Sequence, residues 1–213
     1  MKQFFTLLLS MSVILCLTAC GTPAASVPAE QSMEINSADE TTEAPKEVEE
    51  TTEETADIAV VYFSGTGNTK KAAQLIQAAL NADIYEIEPV EPYTTEDLNY
   101  NDDNCRANQE MKDDTARPAI ANDLSDVLAY DTVYIGYPIW WGTAPRIIQT
   151  FLDNYDISGK NIYTFCTSGG SGIEQSISDL QKLYPQITIQ DGKRFGSSAT
   201  ADEVDAWLKN NEN

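Results

Sequence analysis

Chemistry in this chain is concentrated in three short stretches. Ser64, Gly65, Thr66, Gly67, Asn68 and Thr69 put hydroxyls, an amide and two residues without Cβ side by side. Between a strand and a helix, such a loop turns backbone N–H groups toward an anion. The glycines let the main chain close in on it. The stretch has no lysine and does not follow G-x-G-x-x-G, so it is neither a nucleotide P-loop nor a dinucleotide fingerprint. Neutral donors alone suit a phosphate monoester carried into a protected pocket. The second stretch, Tyr137, Pro138, Ile139, Trp140, Trp141 and Gly142, offers aromatic surface beside backbone polar groups. In the third, Thr167, Ser168, Gly169, Gly170, Ser171 and Gly172 offer bare amides. Taken singly, the first and third also fit ordinary turns ahead of helices.

The flanking segments must bring these stretches together. Residues 58–63 are apolar, β-branched or aromatic and read as a buried parallel strand. Ala72, Leu75, Ile76 and Ala79 mark one face of the helix that follows, and Asn81 is a helix stop. Residues 83–88 alternate like a half-exposed edge strand, ended by Pro89 and Pro92. Residues 131–137 form a second buried strand, leading into the aromatic stretch. Pro145 then opens a helix with Ile147, Ile148, Phe151 and Leu152 toward the core. A third buried strand, residues 161–165, precedes a helix marked by Ile173, Ile177, Leu180 and Leu183. Residues 186–190 read as the last strand. Thr200 and Glu203 form a capping box for a final helix carrying Val204, Trp207 and Leu208. Five strands alternating with helices predict an α/β fold: a three-layer, doubly wound, five-stranded parallel sheet. All three stretches then fall beyond the carboxyl ends of strands, where such sheets bind ligands. Residues 93–129 are polar and weakly periodic, and are expected to form a loop with one or two short helices. Arg106 and Arg117 within them are expected to pair with a local carboxylate or cap a helix end rather than steer a substrate.

A strand leading into Ser64, Gly65, Thr66, Gly67, Asn68 and Thr69 resembles the phosphate loop of the flavodoxin family. Pro138, Trp140, Trp141 and Gly142 resemble the Pro-x-Trp-Trp-Gly loop of one bacterial subgroup. Residues 167–172, with Ala116, Arg117 and Pro118, are similar to that subgroup too. The resemblance covers residues 58–209 and implies the short-chain type, strand order 2-1-3-4-5, non-covalent FMN and electron transfer. It places the FMN phosphate on residues 64–69. An isoalloxazine is flat and largely apolar, and needs an aromatic wall with backbone groups along its rim. Tyr137, Pro138, Ile139, Trp140, Trp141 and Gly142 are assigned to that wall. Neighbouring residues at a strand end face different ways, so one tryptophan is expected in the core and one, Trp141, against the ring. Thr167, Ser168, Gly169, Gly170 and Gly172 are assigned to the pyrimidine edge or ribityl side. No catalytic side chain is implied, because the flavin carries the redox chemistry.

Composition narrows the partners. The chain has 34 acidic and 13 basic residues, a formal charge of -21, and no histidine. That excess opposes nucleic acid and negatively charged redox cofactors and favours basic proteins. Without histidine the usual catalytic base and commonest metal ligand are missing, and no metal is expected. The four cysteines include no C-x-x-C pair, which argues against a zinc site or redox dithiol. Cys105 and Cys166 are expected as separate thiols.

Residues 1–19 read as a signal segment, with Lys2 ahead of a short apolar run from Phe4 to Leu17. Leu17, Thr18, Ala19, Cys20 and Gly21 resemble the lipobox of bacterial lipoproteins, which implies cleavage before Cys20 and lipidation of its sulfur. An ordinary secretory signal is the alternative. Residues 20–57 are rich in Ala, Pro, Ser, Thr and Glu and read as a disordered acidic tether. Residues 58–213 form the folded domain. The expected function is an FMN electron carrier anchored to the outer face of the cytoplasmic membrane, serving a redox protein or a small acceptor such as a quinone. Two alternatives are an FMN-dependent quinone or nitro-compound reductase fed by a reduced nicotinamide, and a flavin-free binding module.

Overall fold

The computed structural model describes residues 57–211. The expected signal segment, Cys20, and the tether before Asp57 lie outside the described residues, as do residues 212–213. Among the described residues no helix is long and apolar enough to cross a membrane.

Strand β1 (Ile58–Tyr62) leads into helix α1 (Asn68–Leu80) and strand β2 (Asp83–Glu86). A long crossover follows, holding helix α2 (Arg106–Lys112) and a 3-10 turn (Ser125–Ala129). Then come β3 (Thr132–Pro138), α3 (Arg146–Asn154), β4 (Asn161–Thr167), α4 (Glu174–Leu183), β5 (Ile189–Phe195) and α5 (Ala201–Asn211). The five strands form one parallel sheet in the order β2-β1-β3-β4-β5. Fold class and strand order are those expected.

Strand periodicity divides the core. Ala59, Val61, Val133, Ile135 and Tyr137 face one side, where α3, α4 and the crossover cover them. Val60, Tyr62, Tyr134 and Phe165 face the other, under α1 and α5. The capping box forms as read: Thr200 N–H donates to Glu203 Oε2 at 3.0 Å, and Glu203 N–H to Thr200 Oγ1 at 3.3 Å. Asn81 ends α1 with a φ of 50°.

Three expectations shift. The buried stripe of α1 is Thr69, Ala72, Ala73 and Ile76, while Ala79 is exposed. Leu183 is exposed at the end of α4. The last strand begins at Ile189 rather than residue 186 and runs through polar residues to Phe195. This edge strand is held by its backbone ladder to β4, so it needs no apolar alternation of its own.

Candidate functional site

The first loop leaves β1 at Phe63, whose N–H donates to Gly136 O at 2.9 Å and ties it to β3. Ser64 Oγ turns back under the loop and accepts from the N–H groups of Gly67 and Lys70, at 3.0 and 3.3 Å. Gly67, the cap residue of α1, lies in the left-handed region and has no side chain of its own to offer; Ser64 takes that place at Lys70. The first turn of α1 carries no acidic residue, whereas α4 and α5 carry Glu174 and Asp202 with Glu203 at the same place. Among the described residues, nothing accepts from the N–H groups of Gly65, Thr66, Asn68 or Thr69. Four open amides at the positive end of a helix are an arrangement suited to an anion. The Thr66 side chain is exposed, and Asn68 Nδ2 donates to its Oγ1 at 3.2 Å. Lys70 is engaged elsewhere, with Nζ 2.7 Å from Glu86 Oε2.

Thr69 sits differently from its loop neighbours. Its hydroxyl is buried and lies 2.8 Å from that of Thr167, joining the start of α1 to the end of β4. The first and third loops are thus tied through their side chains.

In the second loop, Trp140 and Thr143 exchange backbone hydrogen bonds, each N–H donating to the other's carbonyl at 3.0 Å. Trp141 and Gly142 form the tip of this turn with φ of 50° and 81°. Positive φ at two central residues is the pattern of a type I′ turn. It suits Gly142, but at a bulky tryptophan it costs about 1–3 kcal/mol, and such strain gathers at functional sites. Trp140 turns inward, 2 % exposed, and meets Phe63 and Tyr93 edge to face at 5.6 and 5.2 Å. Trp141 turns outward and is 64 % exposed. The two tryptophans divide as expected, one inward and one outward. Ile139, partly buried, donates its N–H to Thr167 O at 3.0 Å. Partly buried Pro138 ends β3 beside Thr167.

Tyr137 does not stand in this wall with its side chain. It shares strand parity with Val133 and Ile135, is fully buried, and its hydroxyl lies 3.0 Å from Ser176 Oγ in α4. Burial also pushes its phenol pKa up, so it stays neutral. Tyr137 supports the strand end from below.

The third loop follows β4. Ser168 N–H donates to Phe195 O at 3.1 Å, and Gly170 N–H to Ser168 Oγ at 3.1 Å. Gly169 and Gly170 are exposed, with nothing near the position a Cβ would take. At Gly172 that position lies 2.1 Å from Glu174 Oε2. Cys166, one residue before Thr167, is buried, which pushes its thiol up to about 12 and keeps it protonated. Cys105 is a separate buried thiol.

A cleft of about 290 Å³ opens between the loops, lined by Tyr100, Ile139, Trp141, Gly142 and Ser171. A second, of about 330 Å³, flanks the first loop on its β2 side and includes Ser64, Gly65, Glu86 and Tyr93. The crossover supplies Tyr100 to the first and Pro89, Pro92 and Tyr93 to the second. Leu98 Cδ1 lies 3.2 Å from where a Cβ on Gly65 would be. Tyr93 donates its hydroxyl to Glu110 Oε2 at 2.5 Å, and its ring carries the Arg106 guanidinium at 4.0 Å. Arg106 pairs with Glu110 at 2.7 Å, the local pairing expected, whereas Arg117 pairs at 2.5 Å with Asp153 of α3, 36 residues along the chain. Tyr93, Tyr100 and Asn108 carried no sequence signal, because what recommends them is the loop each one touches. Among the described residues no three potential metal-ligand side chains of the His, Cys, Asp and Glu types come together.

Comparison with known proteins gives a consistent result. A family model described as flavodoxin matches residues 57–211. A candidate flavoprotein of Bacteroides eggerthii, known from a crystal structure, is 43 % identical, with a TM-score of 0.68 over 71 % of this chain and 95 % of that one. One of Bacteroides uniformis is 41 % identical, with a TM-score of 0.70 over 73 % of this chain and 99 % of that one. A flavoprotein of Lactobacillus acidophilus, solved in complex with FMN, is 25 % identical, with a TM-score of 0.51 over 71 % of this chain and 97 % of that one. No match was found among curated proteins.

Proposed function

Because this chain belongs to the flavodoxin family, we propose that it binds FMN non-covalently and works as an electron carrier. The observation that carries this reading is the start of α1. It offers four open amides and no acid in its first turn, beside an outward-facing Trp141. The donor set fits a phosphate monoester, since neutral amides and the Thr66 and Asn68 side chains complement a dianion without a lysine. Trp141 fits a flat aromatic ring, and the amides of Gly169 and Gly172 fit polar atoms along its rim. When bound, the flavin supplies the electron chemistry. The chain binds, orients and shields it, and no acid or base side chain is required. The acidic field around the site opposes extra negative charge on the cofactor.

The carrier is held at the outer face of the cytoplasmic membrane through a lipid on Cys20, and the acidic segment after it lets the domain reach its redox partner, a protein or a quinone-like acceptor. The lipobox-like residues 17–21 support this part. Incorporation of labelled palmitate that is lost in Cys20→Ser tests it.

The cofactor reading is tested by titrating FMN and riboflavin separately into flavin-free protein and following flavin fluorescence. Tight FMN binding, with riboflavin at least about 100-fold weaker, is expected from losing the phosphate contacts. Equal affinities, or no uptake of FMN, would overturn it. Turnover with a reduced nicotinamide and a quinone separates a reductase from a carrier.

A further inference from the structure

We propose that Asn108 is a positioning residue for the ring-binding wall, holding the plane of Trp141 from a helix 33 residues away in the chain. The proposal rests on the FMN reading above and adds a residue to it. An indole at the tip of a two-residue turn and 64 % exposed has little of its own to hold it. Here its Nε1–H donates to Asn108 Oδ1 at 2.8 Å. Asn108 is itself fully buried, so its hold on the indole is not shared with solvent.

The orientation of that amide is forced. Asn108 Nδ2 donates to the carbonyls of Asp102 and Tyr100, at 2.8 and 3.3 Å. Rotating the amide by half a turn would set its oxygen against two carbonyl oxygens and its nitrogen against the indole donor. The acceptor must therefore face Trp141. Tyr100, whose carbonyl Asn108 grips, lines the same cleft as Trp141. One side chain thus links both walls of the cleft and sets their spacing. Its own helix is anchored in turn, because Arg106 and Glu110 of α2 hold Tyr93 against Trp140. A wall fixed before the ligand arrives loses less freedom on binding.

Two measurements test this. In flavin-free protein, solvent exchange of the Trp141 indole N–H is followed by NMR and assigned by the signal lost in Trp141→Phe. Slow exchange in the wild type, and exchange at least about tenfold faster in Asn108→Ala, is expected for a hydrogen bond of ordinary strength. FMN affinity is then measured around a double-mutant cycle. Asn108→Ala should weaken binding about three- to tenfold in the wild type and less than about twofold in Trp141→Phe, which keeps a ring but has no N–H to hold. Equally fast indole exchange in wild type and Asn108→Ala would overturn the proposal. So would an equal loss of FMN affinity in both backgrounds, which is what a merely structural Asn108 would produce. Absence of FMN uptake by the wild type would overturn the functional reading alone, since indole exchange decides the Asn108 hold without flavin.

Discussion

The hydroxyls of Thr69 and Thr167 meet at 2.8 Å where the first turn of α1 reaches the end of β4, both buried. Removing one leaves the other without a partner in a dry site, which costs more than a hydrogen bond between groups that water can reach. Thr69→Val or Thr167→Val is expected to lower stability by about 1–3 kcal/mol. The double variant should recover much of that loss, because the remaining surfaces are apolar and similarly branched. Urea denaturation of the four proteins checks it, and additive losses would refute it.

Thr66 offers a test of the anion site with effects of opposite sign. Its side chain is exposed one residue before the cap of α1. Thr66→Glu puts a negative charge at the positive end of a helix whose first turn carries no acid. Flavin-free protein should gain about 0.3–1 kcal/mol. FMN binding should fall at least about tenfold, because the same charge repels the phosphate. Thermal melts and FMN titration of one variant read both quantities. A variant that bound FMN as before would move the phosphate elsewhere.

Gly136 is required by its neighbour rather than by backbone conformation. A Cβ there would lie 2.1 Å from Phe165 Cζ, in a ring buried between β4 and the α1 and α5 layer. Gly136→Ala should cost about 1–3 kcal/mol through overpacking. Adding Phe165→Leu should return part of it by vacating the space, as chemical denaturation of the pair would reveal.

Acid should unfold the domain through particular aspartates. Asp97, Asp113, Asp123 and Asp156 are each held below the ordinary carboxylate range by hydrogen bonds from nearby Thr or Ser residues and their backbone N–H groups. A lowered folded-state pKa means the unfolded chain binds protons first. The stabilisation is present above the unfolded value, near pH 4, and is lost as pH falls through the folded values. Asp131 has the opposite sign: Asp57 beside it pushes its pKa up. It weakens the fold at neutral pH, and protonation relieves it. Asp131→Asn should melt higher than the wild type at pH 7, with the difference closing in acid.

Much of the architecture was legible because local order carries it. Alternation and apolar runs marked the strands, and Thr200 with Glu203 marked the start of α5 through bonds spanning three residues. Two adjacent tryptophans were expected to part, and they do, through the turn that follows β3. Less visible was which side Tyr137 would take, since strand parity depends on where the run is anchored in the sheet. The polar run of β5 also escaped, because its pairing is a property of the β4 edge and not of its own side chains.

Residue types and spacing thus specified the element order, the three glycine- and aromatic-rich loops and their common end of the sheet. Those features are written in contacts within a few residues, or in the rule that parallel strands point one way. Packing alone brought Asn108 to Trp141, Tyr93 to Trp140 and Thr69 to Thr167. Each of these pairs joins residues dozens of positions apart. A polar residue whose partner arrives from a distant segment looks, in the chain, like any other polar residue in a loop.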